Sequence, residues 1–224
     1  METNAEHHAL EMVRMKSGKE SEKETECERN FNNYSFVKKK VENLLFQIRD
    51  GVQVPSSYWQ EELCGFDYML EASPKLIGKL RQHCYHITGI KTYEYRSSQS
   101  DLKEKFRLKL AELHKLGCND LFFPELSSLG GFGHSLENQL VNIDTLKFYE
   151  SLIALEKGGV LKELCKKQRA YIAEIGSGWG GFAFQMKKVV PNSTIFLIDF
   201  PELFLFSATY LMSVFPQAKV LIVE

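Results

Sequence analysis

Residues 171–199 read YIAEIGSGWGGFAFQMKKVVPNSTIFLID, and this stretch decides the fold. The short apolar run at 171–175 predicts a buried parallel strand, and four glycines fall within the six residues that follow it. A helix is predicted at about 180–190, where a proline ends it. A second strand is predicted at 194–198, with Asp199 directly after it. The stretch therefore predicts a strand–turn–helix–strand unit, from which parallel α/β sheets are built.

The glycine-rich turn between the first strand and the helix has the features of a ligand-binding backbone. Its glycines are Gly176, Gly178, Gly180 and Gly181. Glycine tolerates positive φ and lets a ligand lie directly on the main chain, and the following helix presents free N–H groups there. A carboxylate at Asp199 can accept two hydrogen bonds from the vicinal hydroxyls of a ribose. The turn and this carboxylate together predict a ligand that contains a nucleoside.

Two cofactor classes use this layout, and a third interpretation is a tight turn without any ligand. A G-x-G-x-x-G pattern beginning at Gly176 fits the dinucleotide fingerprint, which would make the chain a nicotinamide-binding oxidoreductase fragment. An E-x-G-x-G-x-G pattern beginning at Glu174 fits the first motif of class I methyltransferases, which bind S-adenosylmethionine. We favour the methyltransferase interpretation because of the position of Glu174. Trp179 within the turn also suits an adenosyl amino acid better than a pyrophosphate that needs close backbone approach.

The chain resembles the sugar O-methyltransferase family from roughly Tyr58 to its C-terminus. The first matching text is AEIGSGWGGFAFQMKKVVPNSTIFLIDFPELFLFSATYLMSVFPQAKVLIV, at 173–223. In that family an E-I-G turn precedes a strand end of the I-D-L-P-E type, written here as IDFPE at 198–202, and a helix with Tyr-Leu. The upstream text GGFGHSLENQLVNIDTLKFYESLIALEKGGVL, at 130–161, is similar to the segment that precedes the family's cofactor domain.

This resemblance implies an S-adenosylmethionine-dependent O-methyltransferase that transfers a methyl group to the hydroxyl of a sugar or glycoside, a small-molecule substrate. The implied fold is α/β: an N-terminal helical region followed by the first half of a Rossmann-like class I methyltransferase sheet. Residues 218–223 would form the third strand, after which the sheet looks truncated. A non-catalytic, truncated methyltransferase-like protein is therefore the alternative. The cofactor-binding residues implied are Glu174, Gly176, Ser177, Gly178, Trp179, Gly180, Asp199 and Phe200.

The segment 124–146 is the second functional candidate because it is long, glycine-rich and polar, which is typical of loops that carry binding residues. Methyl transfer to an alcohol benefits from a base that removes the hydroxyl proton. His134 has a suitable intrinsic pKa for that base, and Glu137 or Asp144 would orient it or hold sugar hydroxyls. Two other interpretations stay open. Asp144 or Asn142 caps the next helix, and His134 is an ordinary loop imidazole.

Composition and apolar spacing divide the chain into three parts. Residues 1–33 are rich in Glu and Lys and poor in aromatic side chains, which predicts a disordered or fraying charged tail. Residues 34–168 contain several segments with helical apolar spacing and predict an all-helical cap. Residues 169–224 are predicted to form the partial S-adenosylmethionine-binding α/β domain. Helices of the cap are expected at about 36–49, 73–85, 101–117, 143–156 and 160–167.

Charge, hydropathy and cysteine usage argue against several classes of protein. The formal net charge is −1, so no nucleic-acid partner is expected, and no apolar run is long enough to predict a membrane partner. The five cysteines, at 27, 64, 84, 118 and 165, have no C-x-x-C spacing. This pattern predicts reduced thiols in a cytoplasmic protein, with neither a disulfide framework nor a zinc site. Cys84 has histidines on both sides in sequence, but neighbouring helical positions do not converge on one ion.

Overall fold

The computed structural model describes the backbone of residues 3–50, 56–95 and 100–223, and the side chains of residues 25–48, 56–95 and 101–223. Within these residues the fold is mixed α/β, with two small sheets of two strands each. The predicted mixed α/β class is therefore confirmed. No helix among the described residues combines the length and apolar character that a bilayer crossing requires.

Helices and strands alternate only in the last third of the chain. The helices are α1 (Thr3–Asp50), α2 (Ser57–Cys64), α3 (Pro74–Ile77), α4 (Tyr85–Thr88), α5 (Ser100–Leu116), α6 (Ile143–Lys157), α7 (Val160–Cys165), α8 (Gly181–Val189) and α9 (Pro201–Val214). The strands are β1 (His134–Leu136), β2 (Gln139–Val141), β3 (Ala170–Ile175) and β4 (Ser193–Ile198). Short 3-10 turns lie at Asp67–Glu71, Leu80–His83, Thr92–Tyr95, Asn119–Leu121 and Ser128–Gly130.

The first hydrophobic core joins the N-terminal helix to the C-terminal one. Tyr34, Val37 and Val41 recur at helical spacing on α1, and all three are buried. They belong to one cluster with Leu205 and Phe206 of α9, and α1 and α9 pack along each other. The boundary predicted at residue 33 lies inside α1, which is continuous through it.

Tyr34 also ties α1 to the segment between α2 and α3. Its hydroxyl donates to the carbonyl oxygen of Met69 at 2.6 Å and accepts the N–H of Ala72 at 3.1 Å. Both backbone groups are buried, so each needs such a partner.

The second hydrophobic core forms between α5, α6, α8 and the β1–β2 hairpin. Leu113, Leu146, Tyr149 and Leu152 are among its buried members. Helix α8 lies between the two cores, because Phe184 belongs to the first cluster and Met186 to the second. This helix directly follows the glycine-rich turn, so both cores hold the turn in place.

The turn itself connects two parallel strands. β3 pairs with β4 from Ala170 opposite Ser193 to Ile175 opposite Ile198, so both strands end at the same edge. The predicted strand–turn–helix–strand unit is confirmed. One face of this sheet is open, with Tyr171 and Phe196 stacked on it at 6.3 Å between ring centroids.

The cap predicted to be all helical contains a β-hairpin, so that prediction was wrong. β1 and β2 pair antiparallel, with Leu136 opposite Gln139. The two residues between them, Glu137 and Asn138, have φ of 48° and 64°. Positive φ at both positions is the geometry of a type I′ turn, which suits the twist of two paired strands. The Asn-Gly pair that usually predicts such a turn is missing here, and a Glu-Asn pair does not predict a hairpin from sequence.

Two further elements differ from the prediction. The helix predicted at 73–85 is interrupted: Gly78 ends α3, a 3-10 turn follows, and α4 begins only at Tyr85. Residues 218–223 form no strand, so the parallel sheet has two strands rather than the predicted three. In this segment Ile222 packs against the first core cluster, whereas Leu221 and Val223 are exposed.

Candidate functional site

The glycine-rich turn begins at the carboxyl edge of the β3–β4 sheet. The N–H of Gly176 donates to the carbonyl oxygen of Ile198 at 2.8 Å, which continues the pairing into the turn. Gly176, Gly178 and Gly180 have φ of 79°, 55° and 84°. A Cβ at Gly176 would meet no other atom within 4 Å. The backbone at Gly176 therefore faces open space. A side chain at this position would occupy space that is available to a ligand.

Asp199 faces the turn and is already engaged by it. Its Oδ2 accepts the N–H of Gly178 at 2.8 Å and the hydroxyl of Ser177 at 3.2 Å, while Oδ1 accepts the N–H of Phe200 at 2.9 Å. A carboxylate has about four acceptor positions, so three partners leave it room for further hydrogen bonding. To accept hydrogen bonds from both hydroxyls of a ribose, as predicted, Asp199 needs two vacant acceptor positions. The hydroxyl of Ser177 must then give up its hydrogen bond to Oδ2.

Glu174 lies beside Asp199 at the end of β3. Burial, followed by the negative charge of Asp199, raises the pKa of Glu174 to about 7, although a hydrogen bond from the N–H of Ala183 opposes the shift. Its Oε2 is buried without a hydrogen-bond partner among the described residues. Two carboxyl groups therefore stand at one sheet edge, and one of them has an unused oxygen.

Trp179 lies in the turn, but its side chain is directed into the protein rather than towards a ligand. The ring is buried, and its Nε1 donates to Oδ2 of Asp144 at 3.0 Å. The guanidinium of Arg81 stacks on the ring, with Cζ 3.4 Å from the ring centroid. The prediction counts Trp179 among the cofactor-binding residues, but in the structure its ring is buried and makes these internal contacts.

A buried cluster of charges extends from Trp179 into the helical part of the chain. Arg81 binds Glu125 with two hydrogen bonds, Nε to Oε1 at 2.7 Å and Nη2 to Oε2 at 3.1 Å. Its Nη2 also approaches Asp144 at 3.4 Å, and Asn142 donates to Glu125 at 2.8 Å. Burial alone would lower the pKa of Arg81, but its interactions with Cys84, Glu125 and Asp144 outweigh this and raise the pKa, so its positive charge is secure.

The prediction did not identify this cluster as a unit because its members come from distant segments. Glu125 follows a proline within an apolar run, FFPEL, and that is the only local signal of a buried acid. Arg81 falls in the region predicted as a regular helix, where a basic residue ordinarily faces solvent. Arg81 lies instead in the 3-10 turn between α3 and α4, and its side chain is buried.

The three candidate catalytic residues do not form one group. His134 is buried on β1 between the rings of Tyr95 and Phe106, at 4.9 and 5.1 Å between centroids. Its Nε2 has no hydrogen-bond partner among the described residues, and burial lowers its pKa. Glu137 is exposed in the hairpin turn. Among the three, Asp144 alone reaches the glycine-rich turn, through its hydrogen bond to Trp179.

The cap interpretation of the residues before α6 is confirmed for Asn142. Its side chain accepts the N–H of Thr145 at 3.0 Å, and the hydroxyl of Thr145 accepts the N–H of Asn142 at 3.0 Å. This reciprocal pair is a capping box, which satisfies free donors at the start of a helix. Asp144 is thereby left for the buried charge cluster.

A group of aromatic side chains packs around Phe200, the residue directly after Asp199. Phe200 contacts Trp59 of α2 at 5.1 Å between ring centroids, and Tyr58 stands edge-on to Trp59 at the same distance. A cavity of about 1100 Å³ lies elsewhere, between β4, α9 and residues 215–223, and neither Glu174 nor Asp199 lines it. No cluster of acidic, histidine and cysteine side chains among the described residues is placed to hold a metal ion.

Comparison with protein-family models, with curated proteins and with solved structures found no match to this chain. The site must therefore be interpreted from its own geometry. That geometry combines an accessible stretch of backbone at Gly176, two carboxyl groups and the aromatic ring of Phe200 directly after Asp199. Such an arrangement suits a ligand with hydroxyl groups, positive charge and a planar portion.

Proposed function

We propose that the chain binds S-adenosylmethionine and transfers its methyl group to a hydroxyl, with a sugar as the acceptor class that the family resemblance suggests. One observation carries the proposal: an open glycine turn stands at the carboxyl edge of two parallel strands, with Glu174 and Asp199 beside it. Ligands of parallel α/β sheets bind at that edge. The proposal also includes a more specific fold, in which the β3–β4 sheet is the first half of a Rossmann-like methyltransferase sheet.

Charge favours the methyltransferase interpretation over the dinucleotide one. S-adenosylmethionine carries a positive sulfonium and a positive ammonium, whereas a dinucleotide brings a negatively charged pyrophosphate. Two carboxyl groups beside the turn attract the former and repel the latter. This argument replaces the one from Trp179, whose ring is buried.

The reaction is a displacement at the methyl carbon. The acceptor oxygen forms the new O–CH₃ bond while the S–CH₃ bond breaks, and the hydroxyl proton leaves to a base or to water. The products are a methyl ether and S-adenosylhomocysteine. What the turn and the two carboxyl groups contribute is binding and in-line orientation, which supply a large share of such rate enhancements.

A second candidate function is ligand binding without catalysis. It is favoured by the placement of His134, which is buried among aromatic rings, and of Glu137, which is exposed on a hairpin. Neither stands in a hydrogen-bonded chain with Asp144. Under this alternative the adenosyl compound binds at the turn, but no methyl transfer follows.

The proposed site is tested by comparing two glycine variants. Gly176→Ala and Gly159→Ala both place a Cβ at positive φ, with no atom within 4 Å of it in either case. We expect each to lower the free energy of unfolding by about 1–2 kcal/mol, because the backbone strain is the same. Only Gly176→Ala should weaken binding of S-adenosylhomocysteine, by about tenfold or more, in calorimetric titration.

The same titration distinguishes the candidate functions. Binding of NAD in place of both adenosyl compounds would overturn the proposal, and so would equal affinities for the two glycine variants. Binding of S-adenosylmethionine without formation of S-adenosylhomocysteine in the presence of a panel of sugars would favour the non-catalytic candidate.

A further inference from the structure

Two separate sets of contacts hold the glycine-rich turn. On the side of the sheet, Asp199 accepts the N–H of Gly178 at 2.8 Å. On the side of the helical region, the turn's large side chain, Trp179, is stacked under Arg81 and hydrogen-bonded to Asp144. The hydrogen bond to Asp199 joins residues close in sequence. The contacts of Trp179, by contrast, join the turn to Arg81 and Asp144, which come from two separate parts of the helical region.

Arg81 is suited to this contact by its shape as well as its charge. Its planar guanidinium covers the Trp179 ring at 3.4 Å and at the same time presents a two-pronged edge to Glu125. A lysine ammonium is a compact point charge and cannot make both contacts. Arg81 and the two carboxylates are almost fully excluded from solvent, so the stack has a single favourable geometry.

We propose that Arg81 is a positioning residue for the ligand turn: its stack with Trp179 sets the backbone conformation at 176–181 in which an adenosyl ligand binds. Through this cluster the helical region determines the shape of the turn. The cluster itself does not contact the ligand. The inference rests on the proposed function for the identity of the ligand, but the role of the stack in ordering the turn stands on the contacts alone.

Two conservative variants test the stack. Arg81→Lys keeps the charge and loses the planar contact, and Trp179→Phe keeps an aromatic ring and loses the N–H donor to Asp144. We expect each to lower the affinity for S-adenosylhomocysteine by about tenfold. The matched control is Tyr149→Phe, which removes a buried hydroxyl hydrogen-bonded to His114 and Cys118 in the second core. It should leave the affinity unchanged.

Backbone hydrogen exchange gives a readout that needs no ligand. In both stack variants the amides of Gly178 and Gly180 should exchange at least tenfold faster than in the unmodified protein, while amides of α9 keep their protection. Tyr149→Phe should not change exchange in the turn. Unchanged exchange at the turn, or a uniform increase across the whole chain, would overturn the positioning role.

The two readouts separate this inference from the proposed function. If the unmodified protein binds no adenosyl compound, the proposed function fails, and exchange at the turn still decides whether Arg81 orders it. If the unmodified protein binds the compound and both stack variants bind it equally well, the positioning role fails while the proposed function stands.

Discussion

Glu174 is the residue whose ionisation most directly reports the state of the candidate site. It shares the sheet edge with Asp199, and its pKa is raised to about 7 by burial and by that neighbouring charge. Near neutral pH the group is therefore partly protonated. A positively charged ligand beside it would favour the ionised form and release its proton.

The raised pKa of Glu174 predicts a specific dependence of stability on pH. The folded protein holds this proton more tightly than the unfolded chain does, so the group stabilises the fold fully below about pH 4.5. That contribution is lost as pH rises through about 7. Glu174→Gln stays neutral and should lose this part of the pH dependence. The stability difference between pH 5 and pH 8 should shrink by about 1–2 kcal/mol in urea unfolding.

The control for this measurement is Glu163→Gln, on the exposed surface of α7. It should leave the stability difference between the two pH values as it is in the unmodified protein. A profile for Glu174→Gln that matches the unmodified protein would mean that this carboxyl is ionised throughout the range.

Trp179 shows the limit of sequence reasoning at a single residue. A glycine string indicates where the backbone needs freedom, and the turn was correctly placed on that basis. The string carries no information on whether the intervening side chain points towards solvent or into the protein. The ring contacts Arg81, Asp144 and Tyr210, which are distant in sequence and become its neighbours only after folding.

Among the elements, the β3–β4 sheet has an unusual surface for a parallel pair. Parallel sheets are ordinarily covered on both faces, but Tyr171, Ile175, Phe196 and Ile198 are all exposed here. Contiguous apolar surface of this kind promotes association with other apolar surfaces. Ile175, at 83% exposure, is also the residue that leads into the glycine-rich turn.

The exposed sheet face predicts a concentration-dependent association that one substitution should weaken. Phe196→Thr keeps a residue that favours strands and removes an aromatic side chain that is about half exposed. We expect less binding of a hydrophobic dye and less light scattering, with the free energy of unfolding changed by no more than about 0.5 kcal/mol. Leu108→Gln, at a similarly exposed but isolated position on α5, should change neither. Unchanged scattering in Phe196→Thr would contradict the role of this face.

Local signals identify elements well where they are strong and self-contained. Asn142 and the apolar spacing behind it place the start of α6 correctly, and the β3–α8–β4 unit agrees with its prediction within a residue or two. The hairpin was missed because its turn, Glu137-Asn138, lacks glycine. The strand predicted at 218–223 has suitable residues, but strand formation depends on a pairing partner as well as on residue preference, and this segment pairs with neither β3 nor β4.

For the molecule as a whole, α1 and α9 make the two ends of the described chain interdependent. Asn33 Nδ2 donates to Ser213 Oγ at 3.3 Å across a separation of 180 residues. Trp179 of the glycine-rich turn belongs to the same core cluster as Val37 of α1. The candidate site therefore shares a core with the N-terminal helix.

This shared core predicts one cooperative unfolding transition. Val37→Ala removes buried volume from α1 and should lower the free energy of unfolding by about 1–2 kcal/mol. Far-ultraviolet circular dichroism and tryptophan fluorescence should report the same shifted midpoint in urea. Phe36→Ala, at the neighbouring position whose side chain is 46% exposed, should cost clearly less. Two separate transitions would show instead that the turn unfolds independently of α1.

The pairing of α1 with α9 also orders events during synthesis. At about 5–20 residues per second, a ribosome needs roughly 10–40 s to make the intervening chain. Over that interval the apolar stripe of α1 has no α9 to cover it. The apolar stripe of α1 therefore stays uncovered until α9 emerges, and the core that α1 shares with Trp179 can be completed only then.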